Sequence, residues 1–281
     1  MGYVKTPDEV LEIESYYGDN KYTFEGMTVE FETTTEFARS VLPPCLEPAA
    51  KPAGSASVLT VQGRKGGFGD ANVAINARYG DIEGSYTLTF LIDTDWAVTL
   101  GREIWGEVKK HATIFLYRNG DSRFGYGERK GIRVIEIAAE LGKEQGPSEA
   151  AGYEFEIKAT PSALGKGLEG DPRLVVLQAS RKYSYVATGP GTLTLRGSLW
   201  DPVDTIPVDA VGPVRYFTGE SMFRTVSVDS LSDADAYVPF VYGRQYDDPR
   251  LFRSQLPGAP AESGSAAALE VTPIERIFAA G

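Results

Sequence analysis

Short runs of alternating apolar and polar residues recur along most of this 281-residue chain. Typical runs are "SYTLTFLID", "HATIFLYRNG", "YEFEIKA" and "GTLTLRG", rich in β-branched and aromatic residues and separated by Gly, Asp, Asn and Pro turns. This period of two matches side chains that alternate between the faces of a strand. No long helical patterns intervene, which argues against a doubly wound fold. The chain is therefore predicted to form a closed or nearly closed antiparallel sheet.

Two segments depart from this strand pattern. The run "TEFARSVLP" at 35–43 predicts a short helix that is stopped by prolines. The stretch 256–270 is rich in Pro, Gly, Ser and Ala. No internal repeat and no mid-chain linker divides the rest. We therefore expect one domain over 1–255, followed by a Pro/Gly/Ala-rich C-terminal tail at 256–281.

The charge balance argues against several kinds of partner. The formal net charge is -11, whereas a sequence-independent nucleic-acid binder or a surface for anionic lipid needs a cationic face. No apolar run reaches the roughly 18 residues that a membrane helix requires. The first residues lack the basic and apolar regions of a signal peptide. We therefore expect a cytoplasmic protein that binds neither nucleic acid nor membrane.

The supply of histidine and cysteine limits the chemistry further. The chain has one histidine, His111, and one cysteine, Cys45, too few for an intrachain disulfide or a zinc site of the usual kinds. It has neither the GxSxG motif of serine hydrolases nor the GxxxxGK[ST] phosphate loop. We expect no metal and no cofactor. Any catalysis then falls to lysine, carboxylate, tyrosine or arginine side chains.

Two adjacent lysines lie in "GREIWGEVKKHA", residues 101–112, a run that otherwise has the pattern of a buried strand. On a strand, Glu107 and Lys109 would share one face and Lys110 would lie on the other. One lysine could then face the interior, where burial favours the neutral amine. Bringing the pKa of a lysine near 7, a shift of about 3 units, takes about 4 kcal/mol, and a neutral amine can form a Schiff base with a ketone. The alternative is that both lysines lie at a rim, solvated or paired with Glu103 and Glu107.

The segment "GREIWGEVKK" resembles the active-site segment of acetoacetate decarboxylases, usually of the form GRE-[IL]-x-x-[YF]-P-K-K. Three other stretches resemble segments of the same family in the same order. They are "VLPPCLEP" (41–48), "EGSYTLTFLIDTDWAVTLGRE" (83–103) and "GPGTLTLRGSLWDPVDTIPV" (189–208). The lysine motif is fairly specific to this family, and the other three segments are weak singly but informative together. The resemblance covers roughly residues 20 to 230.

This resemblance implies a mainly β (α+β) fold, a cone-like antiparallel β-barrel with a few flanking helices, usually assembled as a homo-oligomer. It implies that Lys109 forms a Schiff base with a small oxo acid. Lys110 would be the neighbouring lysine at the substrate site. The shared GRE motif implies a structural ion pair between Arg102 and Glu103 beneath the site.

The chain departs from the family pattern at three positions. Val108, preceded by Glu107, stands where the family has proline. A carboxylate at Glu107 would stabilise the ammonium form of a nearby lysine, unless it is protonated or shuttles a proton. Asp70 aligns with a family glutamate and is shorter by a methylene. The family's substrate-binding arginine falls near Met27, with no arginine close by.

These considerations give a set of candidate site residues. The catalytic candidates are Lys109, Glu107 and Asp70. The substrate-binding candidates are Lys110, Trp105, Tyr86, Tyr242 and Arg244, the last two placed over the barrel mouth by "YVPFVYGRQYDD" (237–248).

The predicted function is a Schiff-base-forming lyase that decarboxylates a small β-keto acid. An iminium at Lys109 would act as an electron sink. One alternative is a pyruvate-type aldolase or dehydratase that uses the same lysine. An alternative from another class is a non-catalytic barrel that binds a small apolar or carboxylate ligand, in which Lys109→Ala would leave ligand affinity almost unchanged.

Overall fold

The computed structural model describes residues 2–251, so the predicted tail at 256–281 lies outside the described residues. The elements are mostly strands. The helices are α1 Pro7–Gly18, α2 Thr35–Val41, α3 Asp95–Leu100 and α4 Ala234–Gln245, with a π-helical turn at Gly101–Trp105 and a 3-10 turn at Val203–Thr205. The strands are β1 Lys21–Glu32, β2 Glu47–Pro48, β3 Ala53–Gly63, β4 Gly66–Tyr79, β5 Ile82–Ile92, β6 Lys109–His111, β7 Thr113–Asn119, β8 Ser122–Arg129, β9 Ile132–Glu140, β10 Lys143–Glu144, β11 Ser148–Lys158, β12 Arg173–Gly189, β13 Gly191–Leu195, β14 Ala210–Val211 and β15 Val214–Ser230.

Seven of these strands form a ring. Their order is β4-β3-β1-β15-β12-β11-β5, and a further antiparallel pairing of β5 with β4 joins the two ends. The predicted mainly β barrel with few helices is therefore confirmed. Two pairings are parallel, not antiparallel: β5 with β11, and β5 with the short strand β6.

A second sheet packs on the outside of the ring. Its order is β13-β9-β8-β7, and it contacts β3 and β4. Apolar side chains from both sheets form the main core between them, including Met27, Val58, Leu91, Ile135 and Ile137. Because strand side chains alternate, the residues between these core positions on β1, β3 and β4 face the inside of the ring.

A second core lies on another side of the ring. Tyr237 and Val241 of α4 pack there against Tyr86 of β5 and Phe155 of β11. The predicted helix at 35–43 is confirmed as α2, whose first turn is capped by the Thr34 hydroxyl, which accepts a hydrogen bond from the Phe37 N–H at 3.0 Å. No helix within residues 2–251 is long and apolar enough to span a membrane.

The segment before the lysine pair is helical, so the strand expected there was wrong. Residues 95–105 form α3 and the π-helical turn, and strand geometry begins only at Lys109. Trp96, Leu100 and Ile104 recur every four residues and line one cavity, which is a helical spacing. The predicted separation of the two lysines is still correct, because both lie on β6 and point to opposite sides.

Candidate active site

The inside of the ring holds a cavity of about 620 Å³. Of the residues proposed from the sequence, Lys109, Glu107, Asp70 and Trp105 line it. They come from different elements: β6, the loop before it, β4 and the last residue of the π-helical turn. The fold thus brings the three catalytic candidates to one cavity.

Lys109 and Glu107 form a buried ion pair in the cavity wall. The Lys109 Nζ lies 2.6 Å from the Glu107 Oε2, and only 6% of Lys109 and 7% of Glu107 are exposed. The ammonium also lies 4.9 Å from the ring centre of Phe90 and 5.6 Å from that of Phe68. The pair therefore places a carboxyl group within hydrogen-bonding distance of a lysine amine inside the cavity wall.

Gly101 makes room for this pair. Its backbone has ordinary right-handed helical angles, φ -61° and ψ -44°, so no unusual conformation requires glycine here. A Cβ at this position would lie 2.5 Å from the Lys109 Cδ and 2.8 Å from the Nζ, and would also overlap the Glu107 Oε2. The Lys109 and Glu107 side chains therefore occupy the space that a side chain at position 101 would fill.

Gly101→Ala is expected to slow formation of a Lys109 adduct about 100-fold, because displacing a reacting group by about 1 Å costs that much. Overpacking should cost about 1–3 kcal/mol of stability, partly offset by the preference of about 1 kcal/mol for alanine over glycine in a helix. Borohydride-trapping rates and thermal unfolding would measure the two effects. Gly142→Ala is the matched control, because nothing lies within 4 Å of the added methyl group. An adduct rate equal to that of the unchanged protein would contradict the packing argument.

Two neighbours fix the backbone around the pair. Gly106 ends the π-helical turn at φ 82°, a left-handed conformation that favours glycine, and any side chain there would meet the Lys158 backbone. Arg102 donates hydrogen bonds to the carbonyl oxygens of Lys109 at 3.2 Å and Gln245 at 2.7 Å. It does not form the expected ion pair with Glu103 in the described part of the chain, because its guanidinium points toward these carbonyls.

Asp70 is a buried carboxyl in the same cavity. Burial raises its pKa to about 7, although the hydrogen bond from Asn72 at 2.8 Å and the Lys109 charge act in the opposite direction. The carboxylates of Glu154 and Glu107 raise it further. A group with this pKa can both donate and accept a proton near neutral pH.

Sequence reasoning missed a further carboxyl, Glu156 of β11. It is 2% exposed, and burial together with Glu107 and Glu154 raises its pKa well above the usual range. Its Oε2 has no hydrogen-bonding partner among residues 2–251. The alternation in "YEFEIKA" places Glu154 and Glu156 on one face and Phe155 on the other, and this pattern could have revealed the pair.

Lys110 does not line the cavity. Its Nζ donates to the Asp201 Oδ1 and to the Trp200 carbonyl, each at 3.0 Å. Arg129 bridges Asp201 and Asp247 at 2.7 and 2.6 Å. The second lysine therefore belongs to a structural ion network on the opposite side of β6 from Lys109.

The structure also separates three other candidates from the cavity. Tyr86 is fully buried in the second core, because it and the cavity-lining Thr87 point to opposite faces of β5. Arg244 stacks on the Tyr86 ring at 3.8 Å and donates to the Thr87 carbonyl. Tyr242 donates a hydrogen bond to the Gly167 carbonyl at 3.4 Å. We expected α4 over the barrel mouth, but it packs on the outside of the ring.

Two cations in the cavity wall were not anticipated. Lys65 donates to the Asn20 Oδ1 at 2.6 Å, and Arg181 of β12 donates to the Glu154 Oε1 at 2.8 Å. Met27, the position expected near the family's arginine, is buried in the main core, and its neighbour Thr28 faces the cavity. Neither Lys65 nor Arg181 lies in a motif that would have predicted it as a site residue.

A seven-stranded ring with a buried lysine and carboxylate pair in its cavity defines a β-barrel protein with an ionisable internal site. A family model described as acetoacetate decarboxylase (ADC) matches residues 11–230. The chain belongs to the acetoacetate decarboxylase family, a family of lyase-type enzymes.

Individual relatives agree with this assignment. The chain is 27% identical over 204 residues to an acetoacetate decarboxylase of Burkholderia vietnamiensis, covering 70% of this chain and 82% of that protein. It is 28% identical over 162 residues to one of Burkholderia ambifaria, covering 55% of this chain and 65% of that protein.

Solved structures share the fold. Acetoacetate decarboxylase from Legionella pneumophila superposes with a TM-score of 0.64 at 21% identity, covering 75% of this chain and 88% of that one. The enduracididine biosynthesis enzyme MppR complexed with pyruvate gives a TM-score of 0.62 at 20% identity, covering 74% and 90%. An acetoacetate decarboxylase-like enzyme from Sphingomonas wittichii gives 0.59 at 13% identity, covering 75% and 92%.

Proposed function

We propose that this chain is a Schiff-base-forming lyase that acts on an oxo acid, with Lys109 as the nucleophile and decarboxylation of a β-keto acid as the outcome. The observation that carries this proposal is the buried Lys109 Nζ, 2.6 Å from the Glu107 Oε2 in the wall of a cavity. Family membership supports the lyase class. The resemblance also supports a homo-oligomeric cytoplasmic enzyme, and the mass in solution would test the assembly.

The first step is attack by a neutral amine. Glu107 takes a proton from the Lys109 ammonium, and the free Nζ adds to the ketone carbon of the substrate. The resulting carbinolamine gains a proton on its hydroxyl, loses water and becomes an iminium. Enclosure by the ring supports this step, because it holds the base within hydrogen-bonding distance of the amine at a buried position.

The second step uses the iminium as an electron sink. The bond to the carboxylate carbon breaks, CO₂ leaves, and the electron pair forms an enamine with the nitrogen. The enamine carbon then takes a proton, for which the protonated form of Asp70 is the proposed donor. Water hydrolyses the product iminium, releasing the ketone and restoring the Lys109 amine.

Aldol addition and dehydration with a pyruvate-type donor is the second candidate. It is favoured by the carboxyl groups near Lys109, since this chemistry needs a base that removes a proton beside the iminium carbon. Glu107, which stands where the family pattern has tyrosine or phenylalanine, is such a proton acceptor. The enamine carbon would then attack an aldehyde instead of taking up a proton.

Borohydride reduction in the presence of acetoacetate or pyruvate, followed by mass spectrometry of the peptides, tests the proposal. The expected result is a reduced adduct on Lys109. Release of CO₂, scored against formation of a C–C bond, separates the two chemistries. The lack of an adduct on Lys109 with any oxo acid would reject the enzymatic proposal and favour the ligand-binding barrel.

Asp70→Asn is expected to remove a titration from the pH profile of turnover. If protonated Asp70 supplies the proton, the rate of the unchanged protein falls as the pH rises through about 7. The Asn variant should lack this limb and turn over about 100-fold more slowly at pH 6. Initial rates between pH 5 and 9 would measure both effects. A limb that persists near pH 7 in the variant would assign it to another group.

The same substitution should change the pH dependence of stability. The pKa of Asp70 is raised on folding, so the folded protein binds more protons than the unfolded chain between about pH 4 and 7. Its contribution is present below the unfolded pKa and is lost as the pH rises toward 7, by about 4 kcal/mol in total. Denaturant unfolding should therefore show Asp70→Asn gaining stability over the unchanged protein across this range.

A further inference from the structure

Arg181 lies in the cavity wall in line with residues of two neighbouring strands. It pairs with Ser221 of β15, and Ser221 pairs with Tyr22 of β1. All three line the cavity. About 30% of the Arg181 side chain is exposed, so part of this cavity-lining residue is open to a ligand.

The guanidinium has donors left for a ligand. Within residues 2–251 its one hydrogen bond goes from the Nη2 to the Glu154 Oε1 at 2.8 Å. A guanidinium carries five N–H donors in a planar fork that matches a carboxylate. Glu154 therefore orients Arg181 and leaves much of its donor capacity unused.

Aromatic rings connect Arg181 with the reactive lysine. The Arg181 Cζ lies 5.7 Å from the ring centre of Phe223, which lies 6.3 Å from that of Tyr22. Tyr22 lies 6.1 Å from Phe68, and Phe68 lies 5.6 Å from the Lys109 Nζ. The cation and the nucleophile thus belong to one continuous wall.

We propose that Arg181 binds the carboxylate of the oxo-acid substrate, a role that rests on the proposed Schiff-base function. Near Met27, where the family pattern has its arginine, Arg215 lies opposite Thr28 but is not among the residues that line the cavity. The other cavity cation, Lys65, already donates to Asn20 at 2.6 Å and to the Tyr17 carbonyl at 3.4 Å. Arg181 is the cavity cation with the donor geometry that suits a carboxylate.

The test compares acetoacetate with its uncharged methyl ester in three variants. Arg181→Gln should raise the acetoacetate concentration that half-saturates Lys109 trapping roughly 10- to 100-fold, the scale of a lost hydrogen bond to a charged group. The ester should be unaffected. Glu154→Gln should lower that concentration for the acid, because it removes the competing negative charge. Arg224→Gln, at an exposed residue outside the cavity, is the matched control.

Equal weakening for the acid and the ester, or no change for either, would overturn the role of Arg181 while leaving the proposed function intact. If no adduct forms with either compound, the proposed function fails. Calorimetric binding of acetoacetate, measured in the Lys109→Met background, still decides the role of Arg181. Retained acetoacetate binding after Arg181→Gln in that background would overturn it, and loss of binding would support it.

A second inference comes independently from the size of the cavity. Its volume of about 620 Å³ falls within the 300–1,000 Å³ that encloses drug-sized ligands. Ten of its lining side chains are aromatic. Phe24, Tyr183 and Phe217 lie edge to face, with ring centres 5.3 to 5.6 Å apart. We infer, on the basis of the proposed function, that the natural oxo acid carries an aromatic or bulky apolar substituent.

Calorimetric titration with acetoacetate and with its phenyl analogue, benzoylacetate, tests this inference without requiring turnover. Benzoylacetate is expected to bind at least tenfold more tightly, since burying a ring contributes more than 1.4 kcal/mol. Ser221→Phe should remove that advantage by filling part of the cavity. Equal or weaker binding of benzoylacetate to the unchanged protein would overturn the inference.

Discussion

Lys109→Met is expected to abolish the borohydride-trapped adduct and to lower turnover by at least about 10³-fold, a loss typical of removing a covalent nucleophile. Methionine keeps the length and apolar stem of the side chain but has no amine. It also leaves Glu107 without its partner at 2.6 Å. The measurements are peptide mass spectrometry after reduction and the rate of CO₂ release.

Lys182→Met is the matched control for this substitution, because 75% of the Lys182 side chain is exposed. It should retain the full rate and the adduct on Lys109. Mapping also distinguishes the two adjacent lysines, since an adduct on Lys110 would contradict the placement of its Nζ against Asp201. Substantial turnover in Lys109→Met would require another nucleophile.

Glu107→Gln is expected to slow adduct formation by about 10² to 10⁴, the usual contribution of a positioned general base. Glutamine has nearly the same shape but cannot take the proton from Lys109. The charged partner would also be left alone in a buried site, which costs roughly 3–5 kcal/mol of stability. Rates of borohydride trapping and denaturant unfolding would measure these effects separately.

Glu103→Gln provides a control four residues earlier in the chain, because Glu103 is exposed and outside the cavity wall. It should react like the unchanged protein. Glu107→Asp should recover part of the lost rate, since a carboxylate is again present. A Glu107→Gln rate equal to or above that of the unchanged protein would show that Glu107 holds the proton on Lys109 and does not remove it.

Local patterns predicted much of the fold. Alternation located the strands, and the Asn-Gly at the end of "HATIFLYRNG" lies in a tight turn, with Asn119 paired to Ser122 across β7 and β8. Residues 95–105 were misinterpreted because Val98, Thr99 and Ile104 favour strands locally, whereas packing against the cavity selects a helix. The parallel pairing of β5 with β11 has no local signal, since it joins segments that lie far apart in sequence.

Site residues that belong to a sequence motif could be predicted. Residues whose role depends on burial in the folded protein could not. Lys109, Glu107 and Asp70 reach the cavity as proposed. Arg181 and Glu156 were missed because a polar residue that alternates with core residues looks the same whether it faces solvent or a hollow ring. Tyr86 was wrongly assigned to the site, because the sequence does not show which face of β5 its side chain lies on.

The ring is closed by strands from opposite ends of the described chain. β1 begins at Lys21 and pairs with β15, which ends at Ser230. During synthesis, the lysine motif leaves the ribosome long before the last wall of its cavity has been made. Contacts between such distant segments form late. An unfinished chain therefore contains the lysine motif but lacks the closed cavity around it. The buried site forms only after the final strand has been added to the ring.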